Sequence, residues 1–385
     1  MLESFDLYDP ALADGVYDVL AGARRQCPVA HSSANEGFWL VTRYEDVKTI
    51  LQDDDAYISA PGKSLPMRQT HPMPPLDTDP PMHREFRVLL NRFFSRRGLE
   101  PYGPAIRQIA RETVEGWIDA GSCEVVQDLG NPFTATVLAR IVLAIEDVGE
   151  IRRVQHLVES LAARNGAAQW QELAAFVVAL LDDRRRAAEQ PDDVLAAILQ
   201  GTVAGRPLTE SEQIGTTIVL LLGGLDTTQS AISSIVWRLT QDRTLEDRLR
   251  QPDWITAALD EFLRIDSPVT AMARTVTRDT VLGGVELHPG DRVLVHYGSA
   301  NRDDAVFEQP DQLNLERGRN PHMAFGLGIH RCIGLNLARM SIAASINELL
   351  ERVEDIRLAP GAEVHFTPGI VRHPKALPIT FRRRS

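Results

Sequence analysis

Phe325-Gly326-Leu327-Gly328-Ile329-His330-Arg331-Cys332-Ile333-Gly334 sets a cysteine at the start of an amphipathic stretch, behind a glycine-rich loop. Backbone amides and the macrodipole at a helix N-terminus stabilise a thiolate and lower the thiol pKa. Gly326, Gly328 and Gly334 leave room for something flat and bulky to approach the backbone. An iron held axially by a thiolate needs that combination: the sulfur, amides aimed at it, and no side chains in the way. Most lone cysteines are small buried hydrophobes, so on the cysteine alone both readings stand. The joint spacing of Phe325, Gly328, Cys332 and Gly334 is more selective, with a chance match on the order of one in a thousand in a chain of this size.

A helix is expected to follow the loop from Cys332 to about residue 352. Upstream, another is expected from 209 to about 241, opened by a Thr209/Glu212 capping box. It is apolar on nearly all sides between Ile214 and Leu222, so it should run through the interior. Its middle reads Gly223-Gly224-Leu225-Asp226-Thr227-Thr228. Two glycines inside a helix cost about 1 kcal/mol each and need a reason. One reason is close approach of a ligand, and another is helix–helix packing beside an incidental Asp-Thr. Thr227 can bond back to the Gly223 carbonyl and open a groove where an acid and a hydroxyl pass protons. Glu261-Phe262-Leu263-Arg264 puts an acid and a base on one face of a helix expected near 257–265. Such pairs are common on surfaces and say little alone.

The remaining pattern is mostly helical from His83 to about Ser211, with breaks at Gly121-Ser122 and Gly205-Arg206-Pro207. Phe38 to Thr42 reads as a short strand followed by a helix over 45–52. Seven prolines (61, 66, 72, 74, 75, 80, 81) between residues 60 and 82 exclude a regular helix there, and long loops in enzymes are often lids or binding loops. Val281–Leu287 and residues 292–297 look like a hairpin meander. The class is mainly α with a minor β portion drawn from both chain ends, and residues 1–385 fit one large domain.

The formal charge of −12 argues against a nucleic-acid binder or a protein held on anionic lipid. Three cysteines exclude a disulfide framework and suit a reducing compartment. The N-terminus has acids where a signal peptide has bases, and no 18 apolar residues run uninterrupted. A cytoplasmic protein with no membrane span is expected.

The decamer closely resembles the haem-binding loop of the cytochrome P-450 family, the haem-thiolate monooxygenases, and the length suggests the soluble bacterial type. The resemblance runs from about Asp77 to Arg384 and is weakest between 150 and 200. It implies the cytochrome P-450 fold, with a long central helix over haem and a cysteine-ligand loop. Cys332 would be the proximal ligand of a haem b iron (iron protoporphyrin IX), with Phe325 packed near the sulfur and Gly326 and Gly334 against the cofactor. The hexamer in the central helix is similar to the family's oxygen-activation motif, which implies Asp226 as proton relay and Thr227 as hydrogen-bond partner of bound dioxygen. Glu261 and Arg264 match the family's Glu-x-x-Arg pair. Its third member would be Arg317, with Arg319 as rival. The haem propionates would be taken by His83 and Arg87, by Arg274 and by His330.

Further implications concern partners and substrate. Arg84, Arg87, Arg92, Arg96 and Arg97 form a local basic stretch that is either a solvated face or a steering patch. The resemblance implies a ferredoxin contact through Arg84, Arg96, Arg97 and Arg331, with ferredoxin reductase behind it and NAD(P)H as ultimate donor. The family's substrate-facing segments supply Leu65, Met67, Leu220, Gly223, Val269, Ala271, Met272, Ile370 and Val371. They imply a largely apolar pocket, with Arg68, Gln169 and Arg372 as polar contacts or solvated side chains. The implied reaction is insertion of one oxygen atom from O2 into an apolar organic molecule, a hydroxylation in secondary or catabolic metabolism. Alternatives are a haem-thiolate sensor without turnover, a peroxide-driven peroxygenase, and a helical protein with no cofactor.

Overall fold

The computed structural model describes residues 2–66, 72–164, 166–187, 191–251 and 254–384, without the side chains of 158, 159, 161–164 and 257. Four helices organise the site: α1 (Met82–Phe94), α2 (Glu210–Gln241), α3 (Trp254–Asp266) and α4 (Leu335–Arg352). α2 is the axis of the largest hydrophobic cluster, packing on α4 and on the segments around Phe133 and Leu138. Its apolar surround buries Ile218, Leu221, Ile232 and Val236 almost completely. By length and composition α2 could cross a membrane, yet 67% of its most apolar stretch is buried inside the protein, which marks it as a core helix.

The helix starts where the sequence says it should. Thr209 Oγ1 accepts from Glu212 N–H at 3.3 Å and Glu212 Oε2 accepts from Thr209 N–H at 2.7 Å. Arg206 closes the motif with bonds of 2.8 and 2.7 Å to the Glu212 carboxylate, and this partner holds the carboxyl down at about 2. A depressed carboxyl stabilises the fold above its ordinary value of 4.5 and loses that contribution as pH falls towards about 2. Glu212→Gln should therefore cost about 1 kcal/mol at neutral pH. In urea titrations the gap to the parent protein should close below the ordinary carboxylate range; an undiminished gap in acid would contradict the coupling.

A five-stranded sheet flanks the helices: β1 (Val29–Ser32), β2 (Phe38–Val41), β3 (Tyr57–Ile58), β4 (Met272–Val276) and β5 (Arg292–Val295), in the order β1-β2-β5-β4-β3. β5 runs parallel to β2 and antiparallel to β4. The meander expected over 281–297 is not formed. Thr280–Leu282 and Val285–Leu287 close a hairpin by themselves through Gly283 and Gly284, both at positive φ (57° and 85°). The Gly290 turn (φ 94°) then releases β5, whose buried Val293, Leu294 and Val295 fit the middle of the larger sheet. A second, three-stranded sheet joins Ser122–Glu124, Val353–Leu358 and Pro378–Arg383. The proline-rich stretch is irregular where it is described, and residue 72 lies so close to α2 that a Cβ on Gly215 would fall 1.9 Å from the Pro72 carbonyl oxygen.

Candidate functional site

A cavity of about 960 Å³ lies between α2 and the loop preceding α4. Cys332, Asp226, Thr227, His83, Arg87, Arg274 and His330 all face it, although they come from four separate segments of the chain. The loop that carries Cys332 is shaped by its glycines. Gly326 and Gly328 both have φ of 68°, and a Cβ on Gly328 would sit 2.0 Å from the Leu51 carbonyl oxygen, so only glycine fits. Cys332 N–H donates to the Phe325 carbonyl at 2.9 Å, and a Cβ on Gly334 would lie 4.0 Å from Sγ.

The helix begins at Leu335 with Gly334 as its cap, three residues later than expected, so Cys332 precedes it. The thiol does not show the lowered pKa expected of a helix N-terminus. Burial pushes it up, against the Gly334 N–H and the charges of Arg87 and Arg331. A coordinating metal deprotonates such a thiol directly. Among the described residues no group of three His, Cys, Asp or Glu side chains gathers around a metal position. A metal on Cys332 alone must therefore bring its remaining ligands with it, as a porphyrin does.

Basic groups crowd one side of the cavity. The rings of His83 and His330 lie 4.3 Å apart, Arg87 Nη1 donates to the Arg331 carbonyl at 2.9 Å, and Arg274 is buried on β4 with Nη1 on the Ala273 carbonyl at 2.8 Å. His330 Nε2 is hydrogen-bonded to Ser59 Oγ at 3.0 Å. Burial, and then the Arg87 charge, lowers His83 to about 4; burial with Arg274, His83 and Arg87 lowers His330 to about 2. His83 Nε2 is buried without a hydrogen-bond partner among the described residues. Cations packed this way call for anions of a ligand. Two propionates beside a flat macrocycle over Cys332 fit the donors.

The two glycines of α2 serve different ends. A Cβ on Gly224 would come within 2.9 Å of Leu138, so that position is packed, whereas one on Gly223 would meet nothing within 4 Å. Gly223 opens α2 to the cavity. Thr227 Oγ1 donates to the Gly223 carbonyl at 2.9 Å, which leaves the hydroxyl oxygen free to accept from the cavity side. Burial raises the Asp226 carboxyl above the usual range, and the His373 charge pulls it back. His373 Nε2 stands 3.5 Å from Asp226 Oδ1, while its Nδ1 donates to the Pro374 carbonyl at 2.7 Å. With Nδ1 protonated, neutral His373 points a bare Nε2 at the acid. A proton between Nε2 and Oδ1 would satisfy both atoms.

Away from the cavity, Glu261 and Arg264 form a buried cluster. Arg264 makes five hydrogen bonds: two of 2.8 Å to the Glu261 carboxylate, and one each to the carbonyls of Asn301, Pro310 and Gln312. Arg317 Nε donates to Glu261 at 2.9 Å, whereas Arg319 is exposed. Asn301 Oδ1 accepts from Met323 N–H at 2.7 Å, which ties the cluster to the start of the cysteine loop.

Leu220, Gly223, Val269, Met272, Ile370 and Val371 line the cavity. Leu65 and Ala271 do not: both are buried in a separate cluster with Phe5, Phe38 and Leu294. For Ala271 strand alternation explains it, since Met272 turns one way and its neighbour Ala271 the other. Met67 and Arg68 lie outside the described residues. Gln169 does not line the cavity, and Arg372 is neither there nor solvated, but stacked over Phe366 at 3.7 Å. Lining residues that the sequence reading missed include Tyr8, Lys63, Thr367, His373 and Lys375.

The family model "Cytochrome P450" matches residues 254–380. Nocardicin C N-oxygenase of Nocardia uniformis subsp. tsuyamanensis is 34% identical over 90% of this chain and 90% of its own. The steroid C26-monooxygenase of Mycolicibacterium smegmatis is 30% identical over 97% and 96%. Among solved structures, a cytochrome P450 from Chondromyces apiculatus superposes with a TM-score of 0.89 at 28% identity, covering 100% of both chains.

Proposed function

The chain belongs to the cytochrome P450 family, and we propose that it inserts one oxygen atom of O2 into a small organic substrate held in the largely apolar cavity beneath α2. The enzyme is a cytochrome P450 monooxygenase with haem b as cofactor; the residue roles are our reading. Residues 1–385 act as one unit in it, because both chain ends wall the same cavity. The observation that carries the reading is the meeting of Cys332 with Asp226 and Thr227 across one cavity.

Haem, when bound, supplies the chemistry that activates O2 with two electrons and releases the second oxygen atom as water. Cys332 would hold the iron, with the Gly334 N–H and the charges of Arg87 and Arg331 stabilising its thiolate. His83, Arg87, Arg274 and His330 would hold the propionates. The Thr227 hydroxyl, anchored on the Gly223 carbonyl, would accept and keep a hydrogen bond on the oxygen side. Asp226 would deliver protons to it, resupplied by His373 through a proton shared between them. Leu220, Val269, Met272, Ile370 and Val371 exclude water and hold the substrate by apolar contact. Such a surface suits hydroxylation of an apolar skeleton.

Electrons would come from a ferredoxin-type donor. Arg84, Arg96, Arg97 and Arg331 are all exposed and form no ion pair among the described residues, on a protein of net charge −12. Arg92, by contrast, is held by Asp192 at 2.6 Å. A free basic patch on an acidic protein steers an acidic partner. A cytoplasmic setting suits such a donor.

Thr227→Ala tests the reading. The variant should bind haem and consume NAD(P)H through a reconstituted ferredoxin chain at close to the parent rate, while product per electron pair falls about tenfold and peroxide rises. Unchanged coupling would remove Thr227 and the proton route from the mechanism.

A further inference from the structure

The chain has 41 lysines and arginines, of which only three, Lys48, Lys63 and Lys375, are lysines. Two of those three face the cavity. Lys63 is fixed by its backbone: its carbonyl accepts from Ala273 N–H at 2.8 Å, and Arg292 donates to the flanking carbonyls of Gly62 and Ser64 at 2.6 and 3.3 Å. The side chain of Met272, next to that bond, also lines the cavity. The Lys63 amine forms no ion pair or hydrogen bond among the described residues. The undescribed residues 67–71 include no acid. The charge acting on Lys63 is that of Asp77, whose two oxygens accept from Met73 N–H at 2.9 and 2.8 Å. Burial lowers the pKa of the amine, as expected for a cation held away from water without a close partner.

Lys63 is also separate from the propionate group. Arg274, His83 and Arg87 act on His330, and Arg87 on His83, whereas none of them acts on Lys63. Lys375, exposed at the mouth, adds a second amine, and the only acid lining the cavity among the described residues, Asp226, already faces His373. Beyond the cofactor's donors, the described residues thus give the cavity largely apolar walls, two unpaired amines and no free carboxylate.

We propose that the substrate is an organic acid, with an apolar body against α2 and a carboxylate taken by Lys63, after capture at the mouth by Lys375. This rests on the monooxygenase reading of the same cavity and names its substrate class. A half-buried amine on the cavity wall with no fixed partner among the described residues discriminates sharply, because a neutral ligand leaves it unpaired whereas a carboxylate satisfies it.

The test uses haem-loaded, full-length protein and matched pairs of free acid and methyl ester: dodecanoic acid, 4-phenylbenzoic acid, and a steroid bearing a side-chain carboxyl. Binding is read from the low-spin to high-spin shift. At least one acid should bind about tenfold or more tighter than its ester. Lys63→Met should abolish that preference, and Lys375→Met should weaken acid binding by about two- to fivefold, less at high salt. Ester binding should be unchanged in both variants. Esters bound as tightly as acids, no acid bound at all, or an acid preference that survives in Lys63→Met would each overturn the proposal. So would loss of haem in Lys63→Met, which would assign the amine to a propionate. Failure of the underlying reading looks different: the parent protein itself would lack the red-shifted CO band of a thiolate-ligated haem.

Discussion

Arg264→Met should leave little folded protein at 37 °C and almost none that retains haem. Arg264 is fully buried and makes its five hydrogen bonds with one carboxylate and three backbone carbonyls. Removing it strands the Glu261 charge, and breaking a buried ion pair costs about 3–5 kcal/mol. Against a net stability of about 5–15 kcal/mol, that is a large share. The damage should spread to the cysteine loop, because the Asn301 carbonyl loses its donor and the Asn301 side chain anchors Met323. Arg264→Lys should rescue little, since a single ammonium cannot span the fork of bonds that the guanidinium makes. Urea unfolding together with haem content per polypeptide would check this. A loss below about 1 kcal/mol with full haem content would mean that the cluster is incidental to the site.

Cys332→Ser should have the opposite profile, with an intact fold and no function. Cys332 faces the cavity and is only partly buried against protein, so the change of sulfur for oxygen disturbs little packing. The reduced variant should lose the red-shifted CO band, and product formation should fall to background, because a neutral hydroxyl cannot supply the electron density of a thiolate. Far-UV circular dichroism should be unchanged. A variant that kept the band would require Cys27 or Cys123 as ligand. Neither faces the cavity, and burial pushes the Cys123 thiol well above its ordinary range.

What the sequence revealed was local. A capping box, an all-round apolar helix and a glycine-spaced cysteine each carry their signal within about ten residues, and α2 and the Cys332 loop stand where that signal puts them. Errors arose where a partner lies far along the chain. Leu65 and Ala271 are apolar and fall in the right segments, but the fold turns them into the cluster around Phe5 and Leu294, Ala271 because it sits beside Met272 with the opposite facing at the start of β4. β5 has the alternation of a meander strand, yet it pairs with β2, more than 250 residues earlier. His373 and Lys63 carry no local mark. Their meaning comes from what faces them, Asp226 in one case and an apolar cavity in the other, and only the assembled fold supplies that.

The pairing of β2 with β5, and the seam where Gly369 N–H donates to the Leu7 carbonyl at 2.8 Å, set a timetable for biosynthesis. A chain leaving the ribosome exposes Phe38–Val41 long before Arg292–Val295 exists to cover it. The thiol that would fix the cofactor is made after β5, and the segment around Gly369 that reaches back to Leu7 is made later still. Domains whose contacts span such separations cannot fold as they emerge. Cofactor capture is therefore a late event in folding, and a cell short of haem at that moment would accumulate an open, strand-exposing intermediate for its chaperones to hold.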